Sequence, residues 1–241
     1  GYQSYYSEDG ANILVAAHSN GGSQGITTTD IRGSGGYTSS DIYNNFGGTS
    51  SATPLTSGVI ALMLDANPTL TYRDVQHVLV NSARTNNPLD TDWRTNGAGH
   101  DFNHKYGHGA LDAGLAVHIA ANWTNVGPEL NWTSGEQSIS QTIPDNTPNG
   151  LSDTVVVDAG LLVETVEVRF DADHTYRGDI EVNLTSPDGT ISRLAEVHND
   201  NNNNYNEWVF SSVLHWDESS DGTWTIEVND NQSGGTGTWN H

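Results

Sequence analysis

The apolar residues of this chain change their spacing once, near Trp123, and that change limits the folds open to it. Before it, Leu55, Val59, Leu62, Met63 and Ala66 recur at intervals of three and four, the stripe of a half-buried helix. Asn67-Pro68 stops that helix. Thr71 with Asp74 reads as an N-cap and its acidic partner, opening a second helix whose inner face is Val75, Val78 and Leu79. A third helix is expected from Leu111 to about Ala121, and the run Ile13-Leu14-Val15-Ala16-Ala17 reads as a short buried strand, which makes this first part α/β. Beyond Trp123 the period is two. Thr154–Asp158, Val163–Phe170, Ile180–Thr185, Trp208–Phe210 and Thr223–Val228 read as strands separated by turns such as Pro187-Asp188-Gly189, a pattern that favours an all-β sandwich. The segment Asn125 to Asn149, rich in Pro, Thr, Ser and Asn, reads as a linker. The chain has 241 residues, enough for two ordinary domains, and the boundary is placed after residue 124, giving domains 1–124 and 125–241.

Charge sharpens the division and removes several function classes. Residues 1–124 carry a net charge of −5 and the remainder −17, within a total of −22 that includes a single lysine, Lys105. No basic footprint exists to neutralise phosphates, so nucleic acid is excluded as a partner, and an anionic membrane surface would repel the chain. Leu, Ile, Val and Phe make up only about 20 % of residues, near the disordered range, but seven Trp and nine Tyr argue for packed cores. The absence of cysteine excludes disulfides, thiolate metal sites and thiol nucleophiles. No apolar run approaches a membrane span, and a chain opening at Gly1-Tyr2 reads as a product or fragment whose true start lies elsewhere.

Chemistry concentrates in Gly47-Gly48-Thr49-Ser50-Ser51-Ala52-Thr53-Pro54. A serine hydroxyl needs a base to take its proton and a place where a substrate carbonyl can reach it. Paired glycines admit a substrate chain, and a helix starting at the serine aims unpaired amides and a positive dipole end at an oxygen developing negative charge. The plain alternative for Gly-Gly-Thr-Ser alone is a loop and a helix cap.

The longer run Gly-Thr-Ser-x-Ala-x-Pro with Gly58 on an apolar helix resembles the nucleophile segment of subtilisin-like serine proteases. Ile26-Thr27-Thr28-Thr29-Asp30-Ile31, Tyr72-Arg73-Asp74-Val75-Gln76-His77 and Tyr106-Gly107-His108-Gly109-Ala110-Leu111-Asp112-Ala113 resemble the kexin and furin branch, the proprotein convertases. His174-Thr175-Tyr176-Arg177-Gly178-Asp179, Ser186-Pro187-Asp188-Gly189-Thr190, His215-Trp216 and Gly222-Thr223-Trp224 resemble the P domain that follows the protease domain in that branch.

The resemblance implies the C-terminal part of an α/β subtilisin-like domain followed by a jelly-roll-type sandwich, with the P domain's last strand missing after His241. It implies a serine endopeptidase cutting protein or peptide substrates after basic, often paired basic, residues. Ser50 matches the nucleophile, while the aspartate and histidine of the triad and the oxyanion asparagine would lie upstream of residue 1, so these 241 residues alone are expected to be inactive. His18, the nearest local histidine, reads as a loop residue rather than a base. Glu8 in Tyr6-Ser7-Glu8 resembles a calcium-binding glutamate, implying structural Ca2+, with a plain surface carboxylate as the alternative. Asp171 and Asp173 read as solvated strand-end carboxylates, the alternative being a second calcium site with Asn199-Asp200. Arg177-Gly178-Asp179 reads as structural, with Arg177 neutralising nearby acids such as Asp173 and Asp179. The high acidity and absent cysteine resemble secreted bacterial proteins. The competing function class is a non-catalytic fragment or β-sandwich binding module in which Ser50 is idle.

Overall fold

The computed structural model describes residues 2–147 and 149–241. They form two compact units. The first comprises the residues up to Asp9, Leu14–Thr91 and Lys105–Gly127. The second takes Gly10–Ile13 and Asp92–His104 as well as Pro128–His241. No shift in composition marks those two short excursions, since what places them is packing against strands more than a hundred residues away.

The first unit runs β1 (Ile26–Thr29), β2 (Ile42–Phe46), α1 (Thr49–Ala66), α2 (Tyr72–Ser82) and, after a gap in the sequence, α3 (Ala113–Ala121). β1 and β2 pair antiparallel as a two-stranded ribbon. The helix expected to start at Ser50, with its apolar stripe from Leu55, begins at Thr49 and carries Pro54 inside its second turn. Proline has no N–H, so the carbonyl of Ser50 lacks its usual helical partner and the first turn is held from outside. Asn67 ends α1, donating its amide back to the Met63 carbonyl.

α2 is capped as the sequence predicts. The Thr71 amide donates to Asp74 Oδ2 at 2.7 Å, and the Asp74 amide returns a bond to Thr71 Oγ1 at 3.3 Å. Asp74 Oδ1 also accepts from the Trp123 indole at 2.9 Å and the Val126 amide at 2.8 Å. Burial opposes its charge, but the Thr71 amide, the Thr71 hydroxyl, the Trp123 indole and the Val126 amide outweigh it and hold the carboxyl at about 2. α3 is capped by the Asp112 side chain, which accepts from the Leu115 amide at 2.9 Å. The three helices enclose Val59, Met63, Leu70, Val75, Val78, Leu79, Leu111, Ala116 and Ala120.

The strand expected over 13–17 does not form. Leu14 to Ala17 are half-buried and meet the 107–110 segment only through isolated bridges, Val15 with Gly107 and Ala16 with Ala110. Gly107 (φ 58°) and Gly109 (φ 136°) break the partner strand, so no ladder can run. The same glycines keep His104 and His108 off a common helix.

The second unit contains the short pair β3 (Arg94–Thr95) and β4 (Asp101–Phe102), then β5 (Gln141–Ile143), β6 (Leu151–Val157), β7 (Val166–His174), β8 (Ile180–Thr185), β9 (Ile191–Ala195), β10 (Tyr205–Ser212), β11 (Gly222–Asp230) and β12 (Gly237–Trp239). Two four-stranded antiparallel sheets result, in the orders β10-β7-β12-β5 and β6-β11-β8-β9. β12 is an inner strand paired on both sides. β8 shows the cause most plainly: Ile180, Val182 and Leu184 are buried while Glu181, Asn183 and Thr185 are not. Phe170, Tyr205, Phe210 and Trp239 pack ring to ring within the core.

A buried carboxylate ties the Asp92–His104 segment into this unit. Glu218, 1 % exposed, accepts from the Gly97 amide at 2.6 Å, from the Thr190 hydroxyl and from His215 Nδ1 at 3.1 Å. Burial opposes its ionisation, and the bonds from His215, Thr190, Gly97 and Ser186 overcome that to bring it to about 2. His215 is itself fully buried, with no hydrogen-bond partner for its Nε2 among the described residues and its ring 5.0 Å from that of Trp224.

Candidate active site

Ser50 is exposed on the first turn of α1. The cap of that helix is Gly48, at φ 74° and ψ −173°, a conformation that is costly for any side chain. Lacking a side chain, Gly48 cannot cap the helix, and no side-chain cap bond is made there. Groups from a remote loop hold it instead. Its N–H donates to Asn20 Oδ1 at 2.7 Å, and its carbonyl accepts from Ser19 Oγ at 2.7 Å, from Ser51 Oγ at 3.0 Å and from the Ser51 amide at 3.1 Å.

Tyr6 closes this network, its hydroxyl lying 2.7 Å from Asn20 Oδ1 and 2.8 Å from Ser19 Oγ. Burial raises the Tyr6 phenol, but bonds with Ser19, Ser4 and the Gly48 backbone outweigh it and bring it below its ordinary range. The two adjacent serines therefore differ: Ser51 is buried and bonded into the network, and Ser50 faces outward. The motif locates Ser50, but nothing in the spacing of Tyr6, Ser19 and Asn20 announces that they meet at Gly48.

His18 is exposed, with Nε2 3.1 Å from an Arg84 guanidinium nitrogen. A guanidinium only donates, so that imidazole nitrogen accepts and its lone pair is occupied. Glu8 is exposed, and the one three-residue cluster of metal-type ligands among the described residues is Asp171, Glu207 and His241 in the second unit. Calcium takes six to eight oxygens, so Glu8 alone does not fit a site built from the described residues.

Asp171 and Asp173 do not join Asp200. The latter pairs with Arg177 Nε at 2.7 Å, and the guanidinium stands 5.4 Å over the Trp208 ring. Thus Arg177 neutralises Asp200 rather than Asp173 and Asp179, because the chain from 198 to 202 bonds back onto Gly178 and Arg177. An open cleft of about 640 Å3 beside Asp173, Asn203, Asn204 and Thr236 offers amides and hydroxyls but no serine beside a base.

Residues 1–109 match the family model of the subtilase family, and residues 163–241 match that of the proprotein convertase P-domain. The chain thus carries the C-terminal part of a subtilase fold followed by a P domain. Over most of its length it is similar to kexin and furin proteases. It is 36 % identical over 232 residues to Protease KEX1 of Kluyveromyces lactis, covering 92 % of this chain and 30 % of that protein. It is 36 % identical over 231 residues to Proprotein convertase subtilisin/kexin type 4 of Homo sapiens, covering 92 % and 29 %. With Furin of Bos taurus the identity is 34 % over 235 residues, covering 93 % and 28 %. The crystal structure of the Aeromonas sobria serine protease with its chaperone superimposes with a TM-score of 0.85 at 25 % identity, over 98 % of this chain and 53 % of that one. The chain therefore spans about 30 % of the length of the curated relatives it matches.

Proposed function

We propose that the chain is the nucleophile-bearing part of a serine endopeptidase. Ser50 Oγ attacks the carbonyl of a peptide bond, an imidazole from polypeptide outside these 241 residues takes its proton, and an aspartate from the same source orients that imidazole. The imidazolium gives that proton to the departing amine as the C–N bond breaks, and water then hydrolyses the acyl-enzyme, releasing the acid and restoring the Ser50 hydroxyl. The observation that carries this reading is an exposed serine hydroxyl on the first turn of α1, behind two glycines, in a segment that matches the subtilase family.

The helices support a catalytic unit completed by more polypeptide. Leu55, Leu62 and Leu64 of α1 are 38 %, 55 % and 39 % exposed, although Val59 and Met63 on the same helix are buried. A helix apolar on several sides is one that is enclosed in its finished environment. Without that polypeptide Ser50 has no base, so the 241 residues by themselves are expected to be inert.

Cleavage after basic or paired basic residues is the specificity proposed, by likeness to the kexin and furin relatives. Glu8 enters the proposal as one oxygen donor toward calcium whose other ligands lie elsewhere in the whole protein. Secretion is proposed on the same likeness, and no helix among the described residues is long and apolar enough to cross a membrane.

The test is hydrolysis of dibasic and non-basic peptides by the whole protein and its Ser50→Ala variant. Turnover of the dibasic peptide that Ser50→Ala abolishes supports the reading. Undiminished turnover in Ser50→Ala, or none in the folded wild type, favours the non-catalytic module.

A further inference from the structure

We propose that Asn20 is a positioning residue for the Ser50 hydroxyl, acting through the backbone of Gly48. The inference rests on Ser50 being the nucleophile. Gly48 is the last residue before α1, and rotation about its bonds swings Ser50 relative to anything fixed elsewhere in the unit. Glycine makes the required turn cheaply and, for the same reason, leaves it cheaply. The structure removes that freedom from both sides of the residue. Asn20 Oδ1 accepts from the Gly48 N–H at 2.7 Å, and the Ser19 hydroxyl donates to the Gly48 carbonyl at 2.7 Å.

Asn20 is fixed in turn. The Tyr6 hydroxyl lies 2.7 Å from its Oδ1. A Cβ at Gly47 would collide with the Asn20 side chain, so the two are packed without slack. The helix has no cap side chain of its own, and this remote side chain binds the N–H of the cap glycine as the N3 partner of a capping box would. Such an arrangement sets where the hydroxyl stands rather than how tightly a substrate binds, so its loss should be felt in kcat.

The experiment compares Asn20→Ala, Asn20→Asp, Tyr6→Phe and Ser50→Ala in the whole protein, with kcat, KM and melting temperature measured for each. Misplacement of a reacting atom by about 1 Å costs up to about 100-fold. Asn20→Ala should therefore lower kcat by roughly 10- to 100-fold, with KM within about twofold and the melting temperature held. Asn20→Asp keeps an oxygen to accept from the Gly48 N–H and should recover most of the loss. Wild-type kcat in Asn20→Ala alongside an inactive Ser50→Ala overturns the positioning role and leaves the nucleophile intact. A fall in kcat that follows a fall in melting temperature, and that Asn20→Asp does not reverse, overturns it too. Full activity in Ser50→Ala removes the nucleophile and this role with it. Should Asn20→Ala fail to fold, Tyr6→Phe carries the test: a fall of roughly 3- to 10-fold in kcat supports the role, and wild-type kcat refutes it.

Discussion

Replacing Glu218 by glutamine should lower the stability of the second unit in a pH-dependent way. The side chain is 1 % exposed and accepts from Gly97, Thr190 and His215, with its carboxyl brought from 4.5 to about 2. A depressed folded value means that the carboxylate stabilises the fold fully above 4.5 and progressively less as pH falls toward 2. At about 1.4 kcal/mol per unit, the contribution is on the order of 3 kcal/mol at pH 7 and about half that at pH 3. Glutamine keeps the shape and one acceptor oxygen but loses the charge, so Glu218→Gln should be destabilised by about 2–3 kcal/mol at pH 7. Its gap to wild type should shrink by about half or more at pH 3. Glu218→Ala leaves buried donors unpaired and should cost about 3–5 kcal/mol at pH 7. Six of the seven tryptophans belong to the second unit, so urea titration followed by indole fluorescence reads this transition. Parallel curves for wild type and Glu218→Gln from pH 7 to pH 3 would refute the reasoning.

Other substitutions probe the remaining supports. Asp74→Ala removes the partner of the Thr71, Trp123 and Val126 donors and should destabilise the first unit by about 3 kcal/mol, read by helical circular dichroism. The charge-dependent part of the wild-type Asp74 contribution is present above 3.8 and lost as pH falls through about 2, so acid should narrow the difference and leave the part that comes from the unpaired donors. Phe170→Ala opens the ring cluster with Tyr205, Phe210 and Trp239 and should cost about 3–5 kcal/mol with loss of near-ultraviolet dichroism. Arg177→Ala should cost about 1 kcal/mol in the same titration, since its bond to Asp200 is partly solvated.

Much of the secondary structure could be read from residue spacing, and the exceptions have physical causes. β8 was legible because Ile180, Val182 and Leu184 alternate without interruption, and α2 because Thr71 and Asp74 announce its start. β5 and β12 were not, since Gln141-Thr142-Ile143 and Gly237-Thr238-Trp239 offer one large apolar residue apiece and become strands only by pairing with each other and with β7. The start of α1 was legible from the motif at Ser50, but not what holds it, since Thr49, Ser50 and Ser51 are weak helix formers and the turn is held by Asn20 and Ser19 from about thirty residues upstream. Sequence motif located Ser50, but its outward face beside the inward Ser51 needed the fold. The pairing of Arg177 with Asp200 rather than Asp173 or Asp179 depends on a loop return that charge pattern alone does not specify.

The central claim is that Ser50 is a nucleophile, and a fluorophosphonate tests it without assuming any substrate. The whole protein is incubated with the probe and the modified peptide is identified by mass spectrometry. The account predicts stoichiometric phosphonylation at Ser50, absent in Ser50→Ala and after denaturation. Labelling at another serine with Ser50 unmodified, or a folded protein that takes up no probe, would contradict it.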